Sequence, residues 1–172
     1  IETGIEIIVD YQSDWNLVGL PLDVEDDHYQ TIFPDAIGGT FFSFDEIYIQ
    51  DSVLVNGEGY WLRFDNAGST SITGISINEL TISLSEGWNL VSGLDFNISI
   101  NSVTDPNSII IPNALYGFSG IYLQVDSLVS GKGYWMRAFQ DGEVTITGGG
   151  LSRITPQDFS LNGRANTLTI IG

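Results

Sequence analysis

Apolar and polar residues alternate at period two along most of this chain, a pattern that predicts strands rather than helices. Residues 5–9 (Ile-Glu-Ile-Ile-Val) read as a first strand, and residues 14–21 as a second. In the second, Trp15 and Leu17 share one face, Asn16 and Val18 the other. The Trp15 face is expected to be core, since a tryptophan buries up to about 250 Å². Pro21 lacks an N–H and should end the ladder or hold it to an edge. Residues 23–35 read as an acidic loop with one helical turn. Residues 41–44 and 47–50 read as a hairpin about Asp45-Glu46. Asp65-Asn66-Ala67-Gly68 signals a turn after the strand at 60–64, and residues 71–74 close the unit. At 78–84, Leu80, Ile82 and Leu84 should face the core while Thr81 and Ser83 face water.

The pattern then repeats. Gly57-Glu58-Gly59-Tyr60-Trp61-Leu62-Arg63-Phe64 returns as Gly131-Lys132-Gly133-Tyr134-Trp135-Met136-Arg137-Ala138, 74 positions later (134 − 60). Trp88-Asn89-Leu90-Val91 follows Trp15-Asn16-Leu17-Val18 by 73 positions (88 − 15). A period this long exceeds the common solenoid units and fits two copies of a small β unit. The expected fold is therefore all-β. It comprises two duplicated antiparallel β-sandwich or barrel-like units, residues 1–76 and 77–172, in a pseudo-twofold relation. A strand near 77–84 is expected to be shared between them. Asn166-Thr167-Leu168-Thr169-Ile170 echoes Asn78-Glu79-Leu80-Thr81-Ile82 and suggests closing strands at the C-terminus.

Composition narrows the function classes. A formal charge of −17, from 22 acids against five Lys plus Arg, disfavours nucleic acid and anionic lipid as partners. It suits a well-solvated, salt-tolerant or secreted protein. With no cysteine there is no disulfide, metal thiolate or thiol nucleophile. No apolar run is long enough to span a membrane, and the start at Ile1 reads as a mature or excised segment.

Candidate chemistry centres on the repeated Tyr-Trp strand. Period two places Tyr60, Leu62 and Phe64 on one face, opposite Trp61 and Arg63; Tyr134, Met136 and Ala138 lie opposite Trp135 and Arg137. The bland reading is an Arg clasped to Trp or to a nearby acid. The functional reading is an aromatic platform for a sugar. Trp61 and Trp135 would supply it, flanked by Arg63 and Arg137 and helped by Tyr48 and Tyr122. Asn16 and Asn89 read as turn hydrogen bonders. The tip glycines are turn residues, since no Lys-Ser/Thr and helix start follows to make a phosphate loop. Asp23, Glu25, Asp26 and Asp27 form either a solvated acidic loop or an oxygen-ligand site for calcium, in the first half alone. His28 is the sole histidine, and no HExxH or GxSxG accompanies it. The chain is read as non-enzymatic, and a carboxylate-dependent glycosidase stands as a third reading. Asn97-Ile98-Ser99 matches a glycosylation sequon of low specificity.

The succession Gly87-Trp88-Asn89-Leu90-Val91, Tyr116-Gly117-Phe118-Ser119-Gly120-Ile121-Tyr122 and Gly131-Lys132-Gly133-Tyr134-Trp135-Met136 resembles tandem "GWN…GYW" β-repeat modules. Such modules occur in large secreted or cell-surface proteins of bacteria and some archaea. The resemblance spans nearly residues 11–148. It departs at Asp14, where glycine is usual, and at Glu58. It implies an extracellular or cell-surface, accessory, non-catalytic role beside neighbouring domains of a larger chain, and carries over no catalytic or binding residue. The leading expectation is a carbohydrate-binding accessory module whose partner is a polysaccharide. The alternative is a structural or adhesive spacer that mediates protein contacts.

Overall fold

The computed structural model describes residues 4–148, 161–164 and 166–168. The fold is all-β and antiparallel. In the first half β1 (Ile5–Tyr11) pairs with β6 (Gly68–Gly74) as a two-stranded ribbon. β2 (Asp14–Gly19), β5 (Gly59–Phe64), β3 (Phe42–Asp45) and β4 (Ile47–Gln50) form a four-stranded sheet in that order. A single helical turn, α1 (Tyr29–Ile32), sits in the long acidic loop.

The second half follows the same connectivity. β7 (Glu79–Leu84) pairs with β14 (Gly142–Thr147). β8 (Gly87–Ser92), β13 (Gly133–Ala138), β10 (Ile110–Phe118) and β11 (Tyr122–Gln124) form the sheet. The short pair β9 (Ile98–Ser99) and β12 (Ser127–Leu128) is added, with a 3-10 turn at Ile100–Ser102.

Each half encloses its own core between ribbon and sheet. Val9, Tyr11 and Ile72 of the first ribbon meet Val18, Tyr60, Leu62 and Phe64 of the first sheet. Phe33, Phe41 and Leu54 from the loops complete the filling. In the second half Ile82, Leu84, Val144 and Ile146 meet Val91, Tyr134, Met136 and Ala138. Burying each large side chain contributes about 1.5–3 kcal/mol. This packing gives the period-two strands their inward face, including the Tyr60–Leu62–Phe64 face that the alternation predicted.

Two expectations change. Alternation assigned Trp15 and Leu17 to the core. Leu17 is buried, but in the cluster with Leu90 and Trp135, while Val18 and Asn16 point into their own half and Trp15 is 37% and Trp88 41% exposed. Period two fixes which residues share a face, not which face is covered. β2 is held with this face inward because Asn16 closes the turn before it. Its Oδ1 accepts from the Gln12 N–H at 2.9 Å, and its Nδ2 donates to the Gln12 and Asp14 carbonyls at 2.9 and 3.1 Å. Asn89 repeats this on Ser85 and Gly87, with a further 3.5 Å contact to the Met136 carbonyl.

The strand at 79–84, expected to be shared, pairs with β14 of the second half, and β1 fills its place in the first. At the C-terminus β15 (Leu161–Arg164) pairs with β16 (Asn166–Leu168) and not with either sheet. Thr169 and Ile170, the end of the expected echo, lie outside the described residues. No helix among the described residues is long and apolar enough to cross a membrane.

Candidate functional site

The two sheets meet on the faces turned away from their cores, and the repeated glycine–tyrosine–tryptophan stretch forms the seam. The Gly19 N–H donates to the Gly131 carbonyl at 3.1 Å, and the Ser92 N–H donates to the Gly57 carbonyl at 2.9 Å. Gly19 and Ser92 occupy matching places in β2 and β8, as Gly57 and Gly131 do in the two tips, so the contact is reciprocal.

The glycines are required by this approach. Gly57 and Gly131 hold φ of 90° and 82°, a left-handed conformation that glycine adopts without a Cβ clash. A Cβ on Gly57 would stand 3.1 Å from both Ile82 and Leu80 of the other half. One on Gly59 would stand 2.7 Å from the Val91 carbonyl oxygen, and one on Gly133 2.8 Å from that of Val18.

The tyrosine after each tip ties it down. Tyr60 Oη accepts from the Val55 N–H and Tyr134 Oη from the Val129 N–H, both at 2.9 Å. Burial pushes both phenols above their ordinary pKa, with the Glu58 carboxylate adding to the rise at Tyr60. Lys132 Nζ donates to the Asp10 carbonyl across the seam; burial lowers its pKa while the Asp10 charge opposes the shift.

The tryptophans after the tyrosines start two chains of rings that cross from half to half. Trp15 meets Trp61 edge-on at 6.2 Å, Trp61 meets Phe118 at 4.9 Å, and Phe118 meets Tyr122 at 5.3 Å. The reciprocal chain runs from Trp88 to Trp135 at 6.4 Å, to Phe44 at 4.9 Å, to Tyr48 at 5.3 Å. Leu17 and Leu90 pack beneath them with Trp135, as a third apolar cluster.

On either side of this joint an aromatic groove opens. One, of about 380 Å³, is walled by Trp15, Trp61, Phe42, Tyr48 and Phe118. The other, of about 430 Å³, is walled by Trp88, Trp135, Tyr116, Tyr122, Phe44 and Tyr48. All four tryptophans of the chain line these two grooves.

The structure thus brings Trp61, Trp135, Tyr48 and Tyr122 together, with Tyr48 and Tyr122 exposed, Trp61 half-buried and Trp135 buried. Arg63 and Arg137 flank the grooves on the same strands. Arg63 Nε pairs with Asp14 Oδ1 at 2.7 Å, and the Arg137 guanidinium lies 5.8 Å from the Trp88 ring centre. Sequence reasoning missed Trp15, Trp88, Phe42, Tyr116, Phe44 and Phe118 as wall residues. A signal existed: Phe42 and Phe44 are two apart on β3, hence on one face.

The four acids do not come together. Asp23 is held by backbone bonds to Ile75. Asp26 accepts from the His28 N–H and the Thr31 hydroxyl, both at 3.0 Å, which lowers its pKa. His28 caps α1, its Nδ1 accepting from the Gln30 N–H at 3.2 Å. Among the described residues no group of three or more acids and histidines is placed to hold a metal ion, so Asp23, Glu25, Asp26 and Asp27 form no calcium cage there.

Compared with known proteins, the chain matches no family model, no curated protein and no solved structure.

Proposed function

We propose that the chain is a non-catalytic carbohydrate-binding module of a larger secreted or cell-surface protein, with its ligand lying along the two aromatic grooves. One observation carries this reading: the gathering of all four tryptophans on two open grooves, with Trp15 and Trp88 well exposed. An indole left in water forgoes hydrophobic stabilisation that a ligand would restore. Sugar rings offer apolar C–H faces to stack on indoles and hydroxyl rims to hydrogen-bond. The Tyr48 and Tyr122 hydroxyls and the flanking Arg63 and Arg137 are suited to those rims. Neither groove has a carboxylate among its described wall residues, which favours binding over glycoside hydrolysis.

Affinity electrophoresis through gels containing soluble polysaccharides tests the reading. Retardation of the wild type that is lost in Trp15→Ala/Trp88→Ala supports it. Unretarded migration in every polysaccharide rejects it.

A specific observation favours a second reading, an adhesive spacer. β4 and β11 are the outer strands of their sheets, and Ile47, Ile49, Ile121 and Leu123 at these edges are exposed. Outer strands with apolar side chains can receive a strand from another chain. Light scattering at rising concentration separates the two: reversible assembly favours the spacer, and a constant monomer mass disfavours it.

A further inference from the structure

The two grooves share a plan but not a charge. Arg63 lies beside the groove of Trp15 and Trp61, its Nε bound to Asp14 Oδ1. Arg137 holds the matching place in β13, paired in register with Trp88 as Arg63 is with Trp15. At the position matching Asp14 stands Gly87. Glu86 and Asp141 occupy the adjoining turns, where the Glu86 N–H donates to the Asp141 carboxylate at 2.8 Å. Among the described residues Arg137 makes no ion pair, and its guanidinium lies over the Trp88 ring that walls the groove.

We propose that the groove of Trp88 and Trp135 takes a sugar bearing a carboxylate, which Arg137 receives, while its counterpart takes a neutral sugar because Asp14 already occupies Arg63. The proposal rests on the carbohydrate-binding reading above. The planar guanidinium fork matches a carboxylate, and an indole behind it fixes the plane. The formal charge of −17 repels a densely charged polyanion. The favoured ligand class is therefore a largely neutral polysaccharide carrying sparse uronic acid substituents.

The test compares a xylan substituted with glucuronic acid against the same polymer after its carboxyls are reduced to alcohols. The readout is the ratio of the two affinities in affinity electrophoresis. The wild type should favour the carboxylate form by about two- to fivefold, the range of an exposed ion pair.

Arg137→Gln should bring the ratio to one. So should Gly87→Asp, which installs the carboxylate of the first half. A Cβ at Gly87 meets nothing within 4 Å, and Asp14 itself holds a φ of 74° close to the 97° of Gly87. Asp14→Asn, which frees Arg63, should raise the ratio. Thermal unfolding checks that each variant is folded, and the two independent routes to a ratio of one guard against a local defect.

Equal retention of both polymers by the wild type overturns the charge preference and leaves the binding reading intact. So does an undiminished ratio in folded Arg137→Gln. If neither polymer nor any neutral polysaccharide retards the wild type, the binding reading fails, and this proposal with it.

Discussion

Trp61 of β5 meets Phe118 of β10 edge-on across the seam, with ring centres 4.9 Å apart and planes at 78°. Trp135 and Phe44 repeat the contact at 4.9 Å and 79°. The positive rim of one ring faces the negative face of the other, a geometry that contributes about 0.5–1.5 kcal/mol beyond area burial. A double-mutant cycle on Trp61→Ala and Phe118→Ala, followed by urea unfolding, should return a coupling in that range. The Trp135–Phe44 cycle should match it. Additive losses in both cycles would show that the rings only fill space.

Glycine substitutions should rank by what the missing Cβ would strike. Gly133→Ala drives a methyl against the Val18 carbonyl oxygen and should cost about 1–3 kcal/mol as local overpacking. Gly87→Ala enters open space and incurs only the left-handed backbone penalty of about 1–2 kcal/mol. Gly131→Ala combines positive φ with a clash on Val9 and should exceed Gly87→Ala. Chemical denaturation of the three variants gives the order directly.

Asn16→Ala removes three hydrogen bonds that close the turn into β2, at a residue 6% exposed. The backbone groups of Gln12 lose their side-chain partners, at a cost of about 1–3 kcal/mol. Asn16→Asp should recover part of the loss, since its carboxylate still accepts from the Gln12 N–H. A variant as stable as the wild type in thermal unfolding would remove the turn-locking role.

Alkaline pH should destabilise the fold through the buried tyrosines. Phenols of the unfolded chain ionise near pH 10, whereas Tyr60 and Tyr134 hold their protons to higher pH because burial penalises the phenolate. Above pH 10 the unfolded state therefore binds fewer protons than the native state, and stability falls as pH rises. Below pH 10 this contribution is fully present. For Tyr60 the fall approaches about 1.4 kcal/mol per pH unit until the native phenol itself ionises. Urea midpoints between pH 8 and 12 measure it. Tyr60→Phe should be weaker at neutral pH, having lost the acceptor for Val55, yet fall less steeply above pH 10.

The tryptophans should divide by exposure under acrylamide quenching, a neutral probe indifferent to the acidic surface. A variant retaining Trp15 alone should be quenched more than one retaining Trp135 alone, the latter side chain being 9% exposed. Equal quenching would contradict the grooves as described.

Much of the fold was legible because a strand's period needs only its own residues. Alternation located β5, β7 and the hairpin of β3 and β4, and the inward Tyr60–Leu62–Phe64 face followed from size and polarity. It misplaced Trp15 because the outward face of β2 is covered only at Leu17, by the other half, and Trp15 is left on the groove, which no local pattern reports. The glycines read as turn residues for the same reason. Gly57 and Gly131 do hold turn-like φ values, whereas Gly59 and Gly133 open strands, and the neighbours that exclude a Cβ at all four come from the opposite half of the chain. The carboxylates of residues 23–27 were close in sequence, yet Asp23 is paired through its backbone to Ile75, the Asp26 carboxylate is taken up by the His28 N–H and the Thr31 hydroxyl, and no metal-holding group forms among the described residues.

Because each half offers the other the same patch, a single half carries a surface complementary to itself. Only the connector between Gly74 and Glu79 decides whether that surface is met within one polypeptide or by a half borrowed from another. A stiffened or shortened connector should therefore favour exchange of halves between chains. The resulting dimer would keep every groove wall intact while doubling the number of grooves per particle.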